Sequence, residues 1–219
     1  MKTFLRKKAL LWVVLAVWLV IFPKQGWAHK SEQHHLFSVG DLKLESGQVI
    51  KDFAISYVTH GKLNANKSNA VLMCSSLVGN HHRIDFMIGP GKALDTSKYF
   101  VICTDAIGNG LSTSPSNSKA QPGPEFPAFN IRDMVRYQYR LLTEHLGIRH
   151  LVAVAGASMG GMQSLQWAVS YPDFMDAVVA LSPAARVSAW GAAFWKASNS
   201  IFELDTGNRS LPLKKLYTK

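Results

Sequence analysis

The run Gly156-Ala157-Ser158-Met159-Gly160-Gly161 is the strongest chemical signal in this 219-residue chain. An apolar stretch at residues 151–155 precedes it, and a helical pattern from about Gly161 to Ser170 follows, stopped by Tyr171-Pro172. A G-x-S-x-G segment between strand and helix predicts a nucleophile elbow, with the Ser158 hydroxyl projecting above a sheet. Small residues on both sides let strand and helix approach without a clash at Cβ. The amino end of the helix then aims unpaired N–H groups at developing negative charge, and the Met159 amide is the natural first oxyanion donor. A dinucleotide-binding turn would need glycine where Ser158 stands and an acid about twenty residues on, where Val178 lies. The chemistry indicated is nucleophilic catalysis by serine.

Such an elbow needs a sheet to stand on, and the rest of the chain supplies one. Residues 36–44 and 53–60, broken by Ser46-Gly47, read as an antiparallel opening pair. Residues 70–74, 99–104 and 177–181 read as further short strands. Residues 106–129 form a long loop rich in Gly, Ser and Pro, a length that is usually functional or disordered. Asn130 is a predicted N-cap with Asp133 in the first turn. Ile131, Met134, Val135, Leu141, Leu142 and Leu146 follow on one face, and Gly147 is the stop. Residues 186–203 read as a last helix. Strands alternating with helices predict βαβ units and a mostly parallel sheet.

Residues 1–28 are set apart by composition. Lys2, Arg6, Lys7 and Lys8 precede an uncharged apolar run of 14 residues, 9–22, and Gly26-Trp27-Ala28 offers a cleavage site. This is the anatomy of a secretory signal, which predicts export to the periplasm or the medium, with an uncleaved membrane anchor as the alternative. The net charge of +10 is concentrated at the two ends. Removing the five Lys/Arg of residues 1–28 leaves 19 basic against 14 acidic residues, +5. Removing the four of 207–219 leaves 15 against 14, +1. A near-neutral body has no field to steer a polyanion, so nucleic acid is excluded as a partner. The two cysteines, Cys74 and Cys103, fall in predicted strands and read as buried free thiols rather than a disulfide. They are too few for a zinc cluster, and no metal site is expected.

Six ordered blocks between Asn69 and about Glu203 resemble the homoserine O-acetyltransferase family of the α/β-hydrolase superfamily. They are Asp85-Phe86-Met87-Ile88-Gly89-Pro90-Gly91-Lys92-Ala93-Leu94-Asp95-Thr96, Tyr99-Phe100-Val101-Ile102-Cys103, Asn130-Ile131-Arg132-Asp133-Met134-Val135, Ser158-Met159-Gly160-Gly161-Met162-Gln163, Trp167-Ala168 and Tyr171-Pro172-Asp173. The resemblance implies the α/β-hydrolase fold, a mostly parallel sheet flanked by helices. It implies Ser158 as the acyl-accepting nucleophile and a second oxyanion amide on the turn after the third strand, at Leu77. Ser75-Ser76, Asn80-His81-His82 and Ala157 depart from that family's usual letters. The expected substrates are small esters or thioesters, with acetyl-CoA as the acyl donor in the transferase case and no bound cofactor. A homodimer is compatible with this reading. An exported chain fits a secreted ester hydrolase as well as a transferase, and both remain open.

In this superfamily the acid and then the histidine follow the serine. All eight histidines here (29, 34, 35, 60, 81, 82, 145 and 150) precede Ser158, and the later acids Asp173, Asp176, Glu203 and Asp205 do not match the family's acid. His81 and His82, on the oxyanion-side loop, are expected to be solvated loop histidines or contacts to the acyl acceptor rather than a base. The domain is therefore expected to be a partial α/β-hydrolase over 29–206, incomplete at its carboxyl end. The basic tail 207–219 reads as out-of-frame sequence, a reading that nucleotides just downstream would decide. Such a chain is expected to be impaired as a catalyst, with a ligand-binding pseudoenzyme as the alternative, and to be poorly soluble.

Overall fold

A computed structural model describes residues 34–77 and 79–204, except the side chains at 199 and 201–204. The signal-like segment 1–28 and the basic tail 207–219, and with them the expected outer domain limits, lie outside the described residues. Six strands form one sheet: β1 (His35–Lys43), β2 (Val49–His60), β3 (Ala70–Cys74), β4 (Phe100–Thr104), β5 (Leu151–Ala157) and β6 (Met175–Leu181). Their spatial order is β1-β2-β4-β3-β5-β6. The first two pairings are antiparallel and the remaining three parallel. β3, β5 and β6 therefore end along one edge.

Among the described residues three α-helices accompany the sheet: α1 (Ile131–Arg140), α2 (Met159–Ser170) and α3 (Ala189–Leu204). Asn130 caps α1 as its sequence predicts. Its side chain accepts from the Asp133 N–H at 3.0 Å, and Asp133 returns a bond to the Asn130 N–H at 3.0 Å, a reciprocal capping box. The last turn of α1 widens into a π-helical turn, Leu141–His145, closed by the Leu146 N–H on the Leu141 carbonyl at 3.0 Å. Gly147, at φ 62°, then releases the chain as a helix stop should.

The sheet is buried on two faces. One packs Leu72, Cys74, Ile102 and Val154 against Val135, Tyr137, Leu141 and Trp167 of the helical layer. The other packs Val71, Met73, Val101 and Cys103 against Ile88, with Ile84 and Leu94 at its margin. Cys74 and Cys103 are free and buried on these opposite faces. The β3–β4 register pairs Met73 with Cys103, so Cys74 points the other way and no disulfide can close. β6 is less covered: among the described residues it has no strand partner beyond β5, and Val179 and Leu181 are 45% and 49% exposed. On α3, Trp190 is 78% exposed and Phe194 53%. Among the described residues no helix is long and apolar enough to cross a membrane.

Candidate active site

Ser158 occupies the bend between β5 and α2 with φ 55° and ψ −120°, a conformation that side-chain-bearing residues seldom adopt. Its side chain is exposed at the carboxyl edge of the sheet. The bend is held from both sides. The Ser158 N–H donates to the Leu181 carbonyl at the end of β6 (2.9 Å), and the Ser158 carbonyl accepts from the Met162 N–H inside α2 (3.0 Å). Two glycines make the packing feasible. A Cβ at Gly156 would fall on the backbone of Gly160, within 2.8 Å of its Cα, and a Cβ at Gly160 would fall on the Cys74 carbonyl. The elbow predicted from the spacing is present, and α2 begins at Met159, earlier than the expected Gly161, because Ser158 itself serves as the N-cap.

Met159 is the first residue of α2, so its N–H is one of those the helix leaves without an internal partner. Leu77 lies three residues past the end of β3, 44% exposed. Cys74 pairs with Gly156 across the β3–β5 ladder, which brings the Leu77 turn and the Ser158 elbow to adjoining strand ends. Behind them runs a buried amide network. Gln163 of α2 donates to the Ser75 carbonyl (3.0 Å) and accepts from Gln138 of α1 (2.7 Å). Gln138 also donates to Thr104 Oγ1 (3.1 Å) and accepts from the Trp167 indole N–H (2.8 Å).

Of the two loop histidines, one is placed as expected and the other is not. His81 is not a solvated loop residue: it is buried, with Nδ1 2.6 Å from Asp105 Oδ2. The polar letters around it could not show this, because its partner lies 24 residues away in sequence, at the end of β4. His82 does meet solvent, and its Nδ1 lies 2.8 Å from Asp85 Oδ2. His145 reaches the Tyr57 hydroxyl (2.9 Å) and His150 reaches Asp176 (2.8 Å). Asp176 sits at the start of β6, and Asp173 just before that strand, at the end of the sheet opposite Ser158. The Glu203 side chain and Asp205 lie outside the described residues. Asp105 itself drew no attention in the sequence. Its signal was a lone acid closing an apolar strand ahead of a glycine-rich loop.

Comparison with known proteins agrees with this geometry. Residues 69–208 match the family model of the alpha/beta hydrolase fold. The chain is 44% identical over 171 residues to a homoserine O-acetyltransferase from Methanosalsum zhilinae, covering 70% of this chain and 35% of that one. It is 40% identical over 173 residues to another from Deferribacter desulfuricans, covering 70% and 45%. Among solved structures, it is similar to an acetylester hydrolase from Corynebacterium glutamicum. There the TM-score is 0.78 at 38% identity, covering 81% of this chain and 52% of that one. The homoserine O-acetyltransferase from Bacillus anthracis gives a TM-score of 0.73 at 29% identity, covering 85% and 55%. The chain thus spans between about a third and a half of the length of the relatives it matches. With its elbow, parallel sheet and these relatives, the chain belongs to the α/β-hydrolase fold family, and its sequence relatives there are homoserine O-acetyltransferases.

Proposed function

We propose that Ser158 is the nucleophile of a two-step acyl transfer from a small ester or an acetyl thioester. Its Oγ attacks the carbonyl carbon and its proton passes to a general base. The alkoxide or thiolate departs, and the acyl group then moves from serine to a hydroxyl acceptor or to water. The amides of Met159 and Leu77 are the donors to the oxyanion that forms between these steps. The relatives supply the two acceptor classes, since one solved neighbour is an acetylester hydrolase and another a homoserine O-acetyltransferase. The observation that carries the proposal is the exposed serine held at φ 55° on a bend that only glycine contacts permit.

Among the described residues no hydrogen bond joins a histidine to Ser158: His81, His82, His145 and His150 meet Asp105, Asp85, Tyr57 and Asp176, and the base is left unassigned. This same observation favours the second reading, a protein that binds a ligand at an elbow it no longer fires. A fluorophosphonate probe separates the two. Stoichiometric labelling that vanishes in Ser158→Ala supports acyl transfer. A ligand such as a p-nitrophenyl ester that binds saturably without labelling or turnover would sink it in favour of the binder.

A further inference from the structure

Four donors converge on the buried carboxylate of Asp105. The His81 N–H and the Asn109 Nδ2–H reach Oδ1 at 3.0 and 2.9 Å, while the Ser56 hydroxyl and His81 Nδ1 reach Oδ2 at 2.7 and 2.6 Å. An ionised carboxylate only accepts and offers about four lone-pair sites, so the arrangement saturates it and assigns the hydrogen of the shortest contact to Nδ1. The main chain of Asp105 is fixed as well. Its N–H donates to the Ser56 carbonyl (2.9 Å), and its carbonyl accepts from the Ser112 hydroxyl (2.8 Å) and the Tyr137 hydroxyl (3.1 Å). The anion is therefore immobile at the end of β4.

The neighbouring residue repeats the hold. The Ala106 N–H donates to Ser75 Oγ at 3.0 Å. Ser75 and His81 thus bracket the turn after β3, and each is tied to one of two consecutive residues beyond β4. Leu77 stands inside that bracket, beside the strand end that pairs with Gly156. A polar turn left to itself would sample many conformations, whereas hydrogen bonds to an ionised group are about twice as strong as neutral ones.

We propose that His81 and Asp105 are positioning residues whose buried pair fixes the turn carrying the Leu77 amide at the oxyanion side of Ser158. The anchoring is independent of any activity; its catalytic consequence rests on the acyl-transfer reading.

The test uses the full chain with two readouts. First, a nitroxide is attached at Leu77→Cys. Cys74 and Cys103 stay unlabelled, since burial pushes the Cys74 thiol up to about 12 and raises that of Cys103 too. Adding His81→Leu makes the nitroxide severalfold more mobile, and His81→Asn, whose Nδ2 stands where Nδ1 was, restores it. If His81→Leu does not fold, Asp105→Asn, which turns an acceptor oxygen into a donor, gives the same loosening. A spectrum unmoved by the folded variant overturns the proposal. Second, with Leu77 native, His81→Leu lowers the fluorophosphonate labelling rate constant about 10²-fold, the cost of losing one oxyanion donor. The fraction finally labelled is unchanged, whereas irreversible misfolding would lower that fraction and spare the rate constant, and reversible unfolding deep enough to slow labelling that far would show in the circular dichroism of the variant. A mobile nitroxide with an unchanged rate constant also overturns the proposal. If the unmodified chain is not labelled at all, the acyl-transfer reading falls, and the nitroxide alone decides the anchoring.

Discussion

Replacing Ser158 by glycine and by alanine measures the strain stored at the elbow. Alanine removes the hydroxyl and keeps Cβ, whereas glycine removes both, so the difference between them isolates the cost of holding a Cβ at φ 55°, ψ −120°. The side chain is exposed, so lost packing does not confuse the comparison. A residue held in so sparsely populated a region costs about 1–3 kcal/mol. Glycine gives back about 0.4–1 kcal/mol through the greater freedom of its unfolded chain. From the middle of these ranges the remainder is about 1–2 kcal/mol in favour of Ser158→Gly over Ser158→Ala. With a urea slope of about 2 kcal/mol/M, that moves the unfolding midpoint up by about 0.5–1 M. Pulse proteolysis in graded urea at submicromolar protein reads the midpoint while limiting contact between exposed sheet edges. A glycine variant that unfolds at or below the alanine midpoint would refute the reasoning, because the bend would then carry no strain.

Other outcomes follow from the same geometry. Gly160→Ala drives a methyl onto the Cys74 carbonyl, a backbone atom that cannot swing aside, and lowers stability by about 1–3 kcal/mol in the same urea series; an unchanged midpoint would contradict the packing. Native protein at pH 8 releases no colour from a disulfide reagent, while protein unfolded in urea titrates two thiols, since burial raises both thiol pKa values and so suppresses the thiolate. At tens of micromolar the chain self-associates through the β6 edge, which has no strand partner beyond β5 among the described residues, and the apolar face of α3. Val179→Lys with Leu181→Lys reduces that association in sedimentation runs, and a monodisperse unmodified chain would argue against an open edge. Trp167→Phe deletes the indole bond to Gln138 inside the core and costs about 1–3 kcal/mol; a loss below a few tenths would show the amide network to be slack.

Periodicity and punctuation made most of the architecture legible. β3 spans the residues its apolar run delimits, Asn130 and Gly147 bound the first helix and its π-helical turn, and the glycines around Ser158 announce the elbow. Local letters failed where distant partners decide. β2 starts at Val49 rather than Phe53 because its first residues pair with β1 across the Ser46-Gly47 turn. α3 starts at Ala189 rather than Arg186, with the Ser188 hydroxyl accepting from the Gly191 N–H. The π-helical turn has no local signature, and it arises where the Leu146 N–H reaches back five residues. His81 reads as a solvated loop histidine only until β4 delivers Asp105 beneath it. The opposite facing of the two cysteines likewise became visible only from the ladder register.

Gln163, in the helix that follows the serine bend, is bonded both to the Ser75 carbonyl of the turn after β3 and to Gln138 of α1. A repacking of α1 far from any substrate would therefore be transmitted to the serine bend and to the turn after β3 together. Because one side chain ties the two segments together, remote substitutions should disturb them in concert and leave their mutual spacing intact.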